Sequence, residues 1–201
     1  MKLYDYDAPN PQKVRIYAAE KGFELQCEQV AVLEHGLRAP AMLAKNPLAQ
    51  VPFLELDDGH IIRESLAIIE YLESIHPEPP MLGSNPLERA RIQELDRLAE
   101  LGIMLEAANF VHHTVPFFAD LGPQSEQGGQ MASNIFQKKL KIMDGEIGEN
   151  EFVAGGRPSV ADCTLYSALD FAAKFGLKVP EELKNLRRWQ SAFAERPSAS
   201  A

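Results

Sequence analysis

Two neighbouring histidines are the first residues of this chain whose type suggests chemistry. His112 and His113 lie near the end of a predicted helix, close to Asn109 and before a proline. Adjacent side chains on a helix point about 100° apart, so the two rings cannot bind one metal ion together. An imidazole titrates near neutral pH, so one ring could act as a base if it faces a cleft. The alternative is that both are surface or capping residues.

Two dipeptides stand where further elements are expected to begin. Val51-Pro52 precedes a predicted strand, where a proline costs no ladder hydrogen bond. A cis peptide bond there would instead expose the Val51 backbone to a peptide ligand. Glu64-Ser65 begins a predicted helix and could simply cap it, which the pattern alone favours. Alternatively, the free N–H groups of that helix end would bind a ligand carboxylate, and Glu64 would bind a ligand ammonium.

Other polar and sulfur-containing residues are predicted to be structural. The segment from Ser159 to Asp162 matches a capping box, in which the acid at the third helical position bonds back to the cap. Cys27, on a predicted strand, and Cys163, in a predicted helix, are interpreted as small core residues. The two thiols join no cluster of metal-ligating side chains, so we expect no metal site.

The first 77 residues predict the elements that would position these groups. They are, in order, a strand at 2–6, a helix at 11–21, a strand at 25–32, a short helix at 40–45, a hairpin over 51–63 and a helix at 64–76. The early β-α-β portion requires a parallel pair with a right-handed crossover, and the Asp58-Gly59 turn adds an antiparallel hairpin. This is the element order of a thioredoxin-like domain.

The remainder of the chain predicts only helices. Residues 78–85 are rich in proline and read as a linker. Residues 86–201 then predict a helical bundle, with helices at 87–115, at 127–147, from 159 onward and at 181–195. The predicted fold class is therefore α/β plus all-α, with a thioredoxin-like N-terminal domain (1–77) and an all-helical C-terminal domain.

Composition excludes several classes of partner. The 201 residues carry a net charge of -9 and no long basic run, which argues against nucleic acid and anionic membrane surfaces. No apolar stretch approaches the roughly 20 residues of a membrane span, and no signal peptide is visible. Together with two distant cysteines, these features predict a cytoplasmic protein with reduced thiols.

Three segments together make the chain resemble the cytosolic glutathione transferases over nearly its whole length. They are APNPQKVRIYAAEKG, NPLAQVPFLELDDGHIIRES and FVAGGRPSVADCTLYSALDF. The resemblance implies a thioredoxin-like domain followed by a helical one, with glutathione as co-substrate. It also implies a homodimer, and a small hydrophobic electrophile that binds in the cleft between the domains.

The resemblance assigns the glutathione-binding residues by position. It implies that Val51, next to a cis Pro52, binds the cysteinyl backbone of glutathione. Glu64 and Ser65 are expected to bind the γ-glutamyl end, and Gln50 lies on the glycyl side.

The activating group is less obvious, because Ala8 stands where many relatives carry the catalytic serine. PLERARIQELDRLAEL, FVHH and GLKVPEELKNLRRW resemble the yeast-type transferases, which lack the usual catalytic Tyr, Ser or Cys. In that group a water held by a serine and a histidine is thought to take the thiol proton. His112 matches the histidine, whereas the serine position is Ala108, with Asn109 beside it. The resemblance therefore implies His112 and Asn109 as catalytic.

The turn itself offers backbone groups. The first helix begins at this turn, and its free N–H groups, with Asn10 among the donors, could stabilise a thiolate. The alternative is a glutathione-binding or regulatory protein that has lost efficient catalysis, which the absence of a hydroxyl at Ala8 favours.

Overall fold

The computed structural model of the protein describes residues 1–32 and 36–201, without the side chains at 120 and 121. The first half contains strands β1 (Lys2–Asp5), β2 (Gln26–Gln29), β3 (Phe53–Glu55) and β4 (Ile61–Arg63), and helices α1 (Pro9–Glu20), α2 (Pro40–Lys45) and α3 (Ser65–Ile75). Single 3₁₀ turns aside, this is the β-α-β-α-β-β-α order that the sequence predicts.

The four strands form one mixed sheet in the order β2-β1-β3-β4. β1 is parallel to β2 and antiparallel to β3, while β3 and β4 form an antiparallel hairpin. Gly59 adopts φ +88° in the hairpin turn, a conformation that glycine reaches without steric cost. The predicted parallel pair and hairpin are both confirmed.

The second half is helical. It contains α4 (Pro86–Arg97), a π-helical segment (Leu98–Met104), α5 (Leu105–Thr114), α6 (Glu126–Ile147), α7 (Val160–Lys174) and α8 (Lys184–Ala194). The single helix predicted over 87–115 is thus interrupted by a π-helical stretch, a form common at functional sites. Among the helices of the described segments, none combines the length and apolarity that a bilayer crossing needs.

The two cysteines differ in burial, and one prediction about them is wrong. Cys163 is fully buried in α7, as predicted. Cys27 is exposed, because β2 is an edge strand and three of its four residues face solvent. β2 is also shorter than the predicted strand at 25–32, so the alternation there does not reflect a buried face.

One hydrophobic core runs through both halves. It joins side chains of β1, α1 and α3 to those of α4 to α8, including Tyr17, Leu72, Phe136 and Trp189. Contacts between α1 and α7 make most of the connection.

Polar pairs reinforce the connection between the halves. The fully buried Lys13 ammonium of α1 lies 3.1 Å from Glu100 in the π-helical segment. The Arg196 guanidinium donates two 2.7 Å hydrogen bonds to the Glu20 carboxylate at the end of α1. The helical half therefore holds α1 both in its second turn, at Lys13, and at its last residue, Glu20.

Candidate active site

Three connections meet at one end of the sheet because of its register. Tyr4 of β1 pairs with Phe53 of β3, and Phe53 pairs with Arg63 of β4. The antiparallel directions therefore bring the turn after β1, the start of β3 and the residues after β4 to the same edge. These connections carry Ala8 to Asn10, Val51-Pro52 and Glu64-Ser65.

The loop before β3 presents its backbone in a fixed conformation. The Val51-Pro52 peptide bond is cis, and Pro52 is buried while Gln50 is exposed. The buried Asn46 side chain donates to the Gln50 carbonyl at 2.8 Å and accepts from the Leu48 N–H at 3.2 Å. The cis bond of the alternative interpretation is confirmed, while the binding of a peptide ligand by the Val51 backbone stays a prediction.

The capping interpretation of Glu64 is wrong. Glu64 lies at the N-cap of α3, yet its side chain makes no capping hydrogen bond and is exposed. Its backbone has φ +68°, a left-handed value that costs energy in a residue with a side chain. Such strain concentrates at functional sites. Ser65 is buried, and its hydroxyl lies 3.4 Å from Asn10 Oδ1, which joins the start of α3 to the first turn of α1.

The first turn of α1 has few free donors. Ala8 is the N-cap and offers no side-chain bond, and two of the next three residues are prolines without N–H groups. The Gln12 N–H donates to the Ala8 carbonyl at 3.1 Å. Among the turn, cap and side-chain hydrogen bonds of the described residues, none involves the Asn10 N–H, so this turn keeps that donor available.

The other flank of this turn carries charges that sequence reasoning missed. Lys174, the last residue of α7, lies 2.9 Å from Asp7 and 3.3 Å from Asp170. Gln12 donates to the same Asp170 carboxylate at 3.3 Å. Partial burial lowers the pKa of Lys174, but the two carboxylates raise it more, so the net pKa lies above its ordinary value. The spacing of Asp170 and Lys174 signals a helix-surface pair, whereas nothing in the sequence links either to Asp7.

The two residues expected to be catalytic lie on α5, in the helical half. The His112 ring contacts the His113 ring edge-on, with 5.0 Å between centroids. The backbone carbonyl of His112 accepts a 2.6 Å hydrogen bond from the Gln124 side-chain amide. Asn109 is exposed, and its amide lies 3.5 Å from Glu106. In residues 1–32 and 36–201, no hydrogen bond joins either side chain to the turn after β1.

The capping box at the start of α7 is confirmed as structural. The fully buried Asp162 carboxylate accepts hydrogen bonds from the Ser159 N–H and hydroxyl, the Val153 N–H and the Trp189 indole, all at 2.8–2.9 Å. Burial raises the pKa of Asp162 to about 6, against the lowering effect of these donors. Because all four partners donate to it, the carboxylate acts as an acceptor in this network.

Family models match both halves of the chain. One described as "Glutathione S-transferase, N-terminal domain" matches residues 3–80, and one described as "Glutathione S-transferase, C-terminal domain" matches residues 111–197.

Individual relatives agree with the family models. The chain is 35% identical to glutathione S-transferase 2 of Saccharomyces cerevisiae, over 98% of this chain and 87% of that protein. The crystal structure of Gtt2 from Saccharomyces cerevisiae superposes with a TM-score of 0.92 and 34% identity, covering 100% of this chain and 99% of that one. The crystal structure of a glutathione S-transferase domain-containing protein from Marinobacter aquaeolei superposes with a TM-score of 0.92 and 38% identity, covering 99% of this chain and 100% of that one.

Proposed function

The chain belongs to the glutathione S-transferase family, and from that premise we propose that it joins the glutathione thiol to small hydrophobic electrophiles. The proposal rests on one observation: the turn after β1, the start of β3 and the start of α3 lie at the same edge of the sheet. There the Ser65 hydroxyl lies 3.4 Å from Asn10 Oδ1. Such an edge offers a peptide-like ligand both backbone hydrogen bonds and a helix N-terminus.

Each segment has a proposed role toward one part of glutathione. Val51, beside cis-Pro52, pairs with the cysteinyl backbone, and the exposed Gln50 faces the glycyl side. The N-terminus of α3 and the Ser65 hydroxyl bind the γ-glutamyl carboxylate. The exposed Glu64 carboxylate, which is not used in capping, binds the γ-glutamyl ammonium.

The thiol requires only modest activation. An unperturbed thiol has a pKa near 8.5, so lowering it by about 2 units, or about 2.7 kcal/mol, gives thiolate at neutral pH. The free Asn10 N–H and the dipole of α1 supply part of this stabilisation. The thiolate sulfur then forms a bond to the electrophilic carbon, and in a substitution the leaving group departs with its electron pair.

We propose that His112 accepts the thiol proton through a water molecule, with Asn109 helping to hold that water. An indirect rather than a direct transfer is supported by the hydrogen bonds of the described residues, none of which joins either side chain to the Asn10 turn. We also propose that residues 1–77 form the glutathione-binding domain, 78–85 the linker and 86–201 the helical domain. The protein is proposed to act as a cytoplasmic homodimer in detoxification.

Steady-state kinetics with glutathione and an aryl halide test this function. We expect turnover above the uncatalysed rate, and we expect His112→Ala to lower kcat about tenfold or more with little change in the KM for glutathione. His60→Ala serves as the matched control, because it removes an imidazole that is 80% exposed in the hairpin turn and does not contact His112. An equal loss in both variants would contradict the role of His112.

Calorimetry separates the catalytic proposal from its alternative. Glutathione binding without turnover for several electrophiles would favour the non-catalytic binding protein. Absence of both binding and turnover would remove the site assignment itself.

A further inference from the structure

The last turn of α5 lacks one of its own hydrogen bonds. A carbonyl inside a helix accepts from the N–H four residues later along the chain. For His112 that residue is Pro116, which has no N–H to donate. A carbonyl without a donor costs free energy wherever water cannot replace the missing bond. The backbone of His112, the proposed base, therefore needs a donor from outside the helix.

Gln124 supplies that donor. It lies in the connection between α5 and α6, and its half-buried side-chain amide donates to the His112 carbonyl at 2.6 Å and to the Val115 carbonyl at 2.7 Å. His112 belongs to the last turn of α5, and Val115 is the first residue after the helix. One amide group thus closes the helix end that Pro116 leaves open.

The same connection also contacts the His112 ring. A Cβ atom added to Gly122 would lie 3.6 Å from His112 Cε1 and 3.7 Å from Nε2, so this edge of the ring faces the Gly122 backbone. Among the hydrogen bonds of residues 1–32 and 36–201, none reaches either ring nitrogen of His112. The direction of the ring is therefore set by packing and by the position of its backbone.

The neighbouring ring is held by the start of α6. A Cβ atom added to Gly128 would lie 2.6 Å from His113 Cδ2 and Nε2, well inside van der Waals contact, so this approach requires a glycine. The His113 ring in turn packs edge-on against the His112 ring. Gln124 stands between the two glycines in the sequence, and it makes the polar bonds from this connection to α5.

From these contacts, and resting on the proposed function, we propose that Gln124 is a positioning residue for His112. It holds the backbone of the last α5 turn, and with it the imidazole, where a water molecule can bridge the ring and the bound thiol. Gln124 bonds to the carbonyl of His112 and not to its ring, so it takes no proton itself. Its loss should therefore lower kcat and leave the binding of glutathione unchanged.

Gln124→Met tests the proposal, because it removes the donor and keeps the length of the side chain. With glutathione and an aryl halide, kcat should fall about fivefold or more, while the KM for glutathione stays within about twofold of wild type. Gln137→Met is the matched control, since the Gln137 amide donates to a different backbone carbonyl, that of Lys178, at 3.3 Å. An unchanged kcat in Gln124→Met, or an equal loss in both variants, would overturn the proposal.

A double variant separates positioning from a general loss of structure. If Gln124 acts through His112, then Gln124→Met should cost no further activity in a His112→Ala background. The kcat of the double variant should therefore equal that of His112→Ala alone. A further loss of about fivefold in the double variant would overturn the proposal, because it would show an effect that does not pass through the imidazole.

NMR of isotope-labelled histidine gives a readout that does not need turnover. The His112 Cε1–H signal is identified by its absence from His112→Ala. At constant pH it should shift or broaden in Gln124→Met and keep its position in Gln137→Met. If His112→Ala leaves the rate unchanged, the proposed role of His112 as the base is refuted, while this signal still decides whether Gln124 positions the ring. An unchanged His112 signal in Gln124→Met would overturn the proposal.

Discussion

Two helices of this protein begin with a serine and an acid, and they use them in opposite ways. At the start of α7, Ser159 and Asp162 are buried and hydrogen-bond to each other, and Asp162 also accepts from Val153 and Trp189. At the start of α3, Glu64 is exposed with φ +68°, and it makes no capping bond. Ser65 contacts Asn10 of a different helix instead.

The difference shows how the same residue types divide between scaffold and site. A side chain whose hydrogen-bonding capacity is fully used inside the protein can only stabilise the fold. A helix end without a side-chain cap keeps its N–H groups and its positive dipole for a ligand. Mutations at the start of α7, the scaffold end, should therefore change the free energy of unfolding. Mutations at the start of α3, the site end, should instead change the affinity for glutathione.

The largest effect is expected at the scaffold end. Asp162→Asn should lower the free energy of unfolding by about 3 kcal/mol, since an amide NH₂ would face donors where the carboxylate accepts. Urea denaturation measures this change. The exposed Glu149→Gln, with the same loss of charge, should stay within about 0.5 kcal/mol of wild type. If Asp162→Asn were as stable as the wild type, the proposed difference between the two helix ends would be contradicted.

An intermediate effect is expected at the site end. Glu64→Gln and Ser65→Ala should each weaken glutathione binding about tenfold or more, because each removes a hydrogen bond to a charged group of the ligand. Calorimetry measures the affinity, and urea denaturation of the same samples should show little change for Glu64→Gln. Wild-type affinity in both variants would mean that α3 does not bind glutathione.

The smallest effect is expected from a change at Glu64 that separates backbone strain, measured as stability, from glutathione binding, measured as affinity. Glu64→Gly should raise the free energy of unfolding by up to about 1 kcal/mol, because glycine adopts positive φ without steric cost. It should still bind glutathione more weakly, since the carboxylate is lost. Glu181→Gly, which also removes an acid but at an exposed turn position without a positive φ, provides the comparison for unfolded-state entropy. A loss of stability in Glu64→Gly would show that the Glu64 side chain supports the fold.

Much of the fold is predictable because its signals are local. The Asp58-Gly59 turn, the capping box before α7 and the apolar stripes of the helices each depend on residues within a few positions. These signals predict the element order and the two-part architecture that the structure has. Cys27 is the instructive failure, since strand alternation does not reveal that β2 is an edge strand.

The candidate site is less predictable because its contacts are non-local. The positive φ of Glu64 has no signature in the sequence, because the residue that normally adopts positive φ is glycine. The π-helical segment contains Gly102, but a single glycine within a helical pattern does not predict such a segment. The pairing of Asp7 with Lys174 spans 167 positions and depends on how α1 packs against α7. The residue pattern alone raises Val51-Pro52 and Glu64-Ser65 only as alternatives for binding a peptide-like ligand, and the family resemblance is needed to name that ligand as glutathione.

The core that runs through both halves has a consequence for unfolding. Because α1 contributes buried side chains to a cluster shared with α4 to α8, neither half can lose its structure without exposing apolar surface of the other. We therefore expect one cooperative melting transition rather than two. A protease that nicks the proline-rich linker should leave two fragments that remain associated and still melt together.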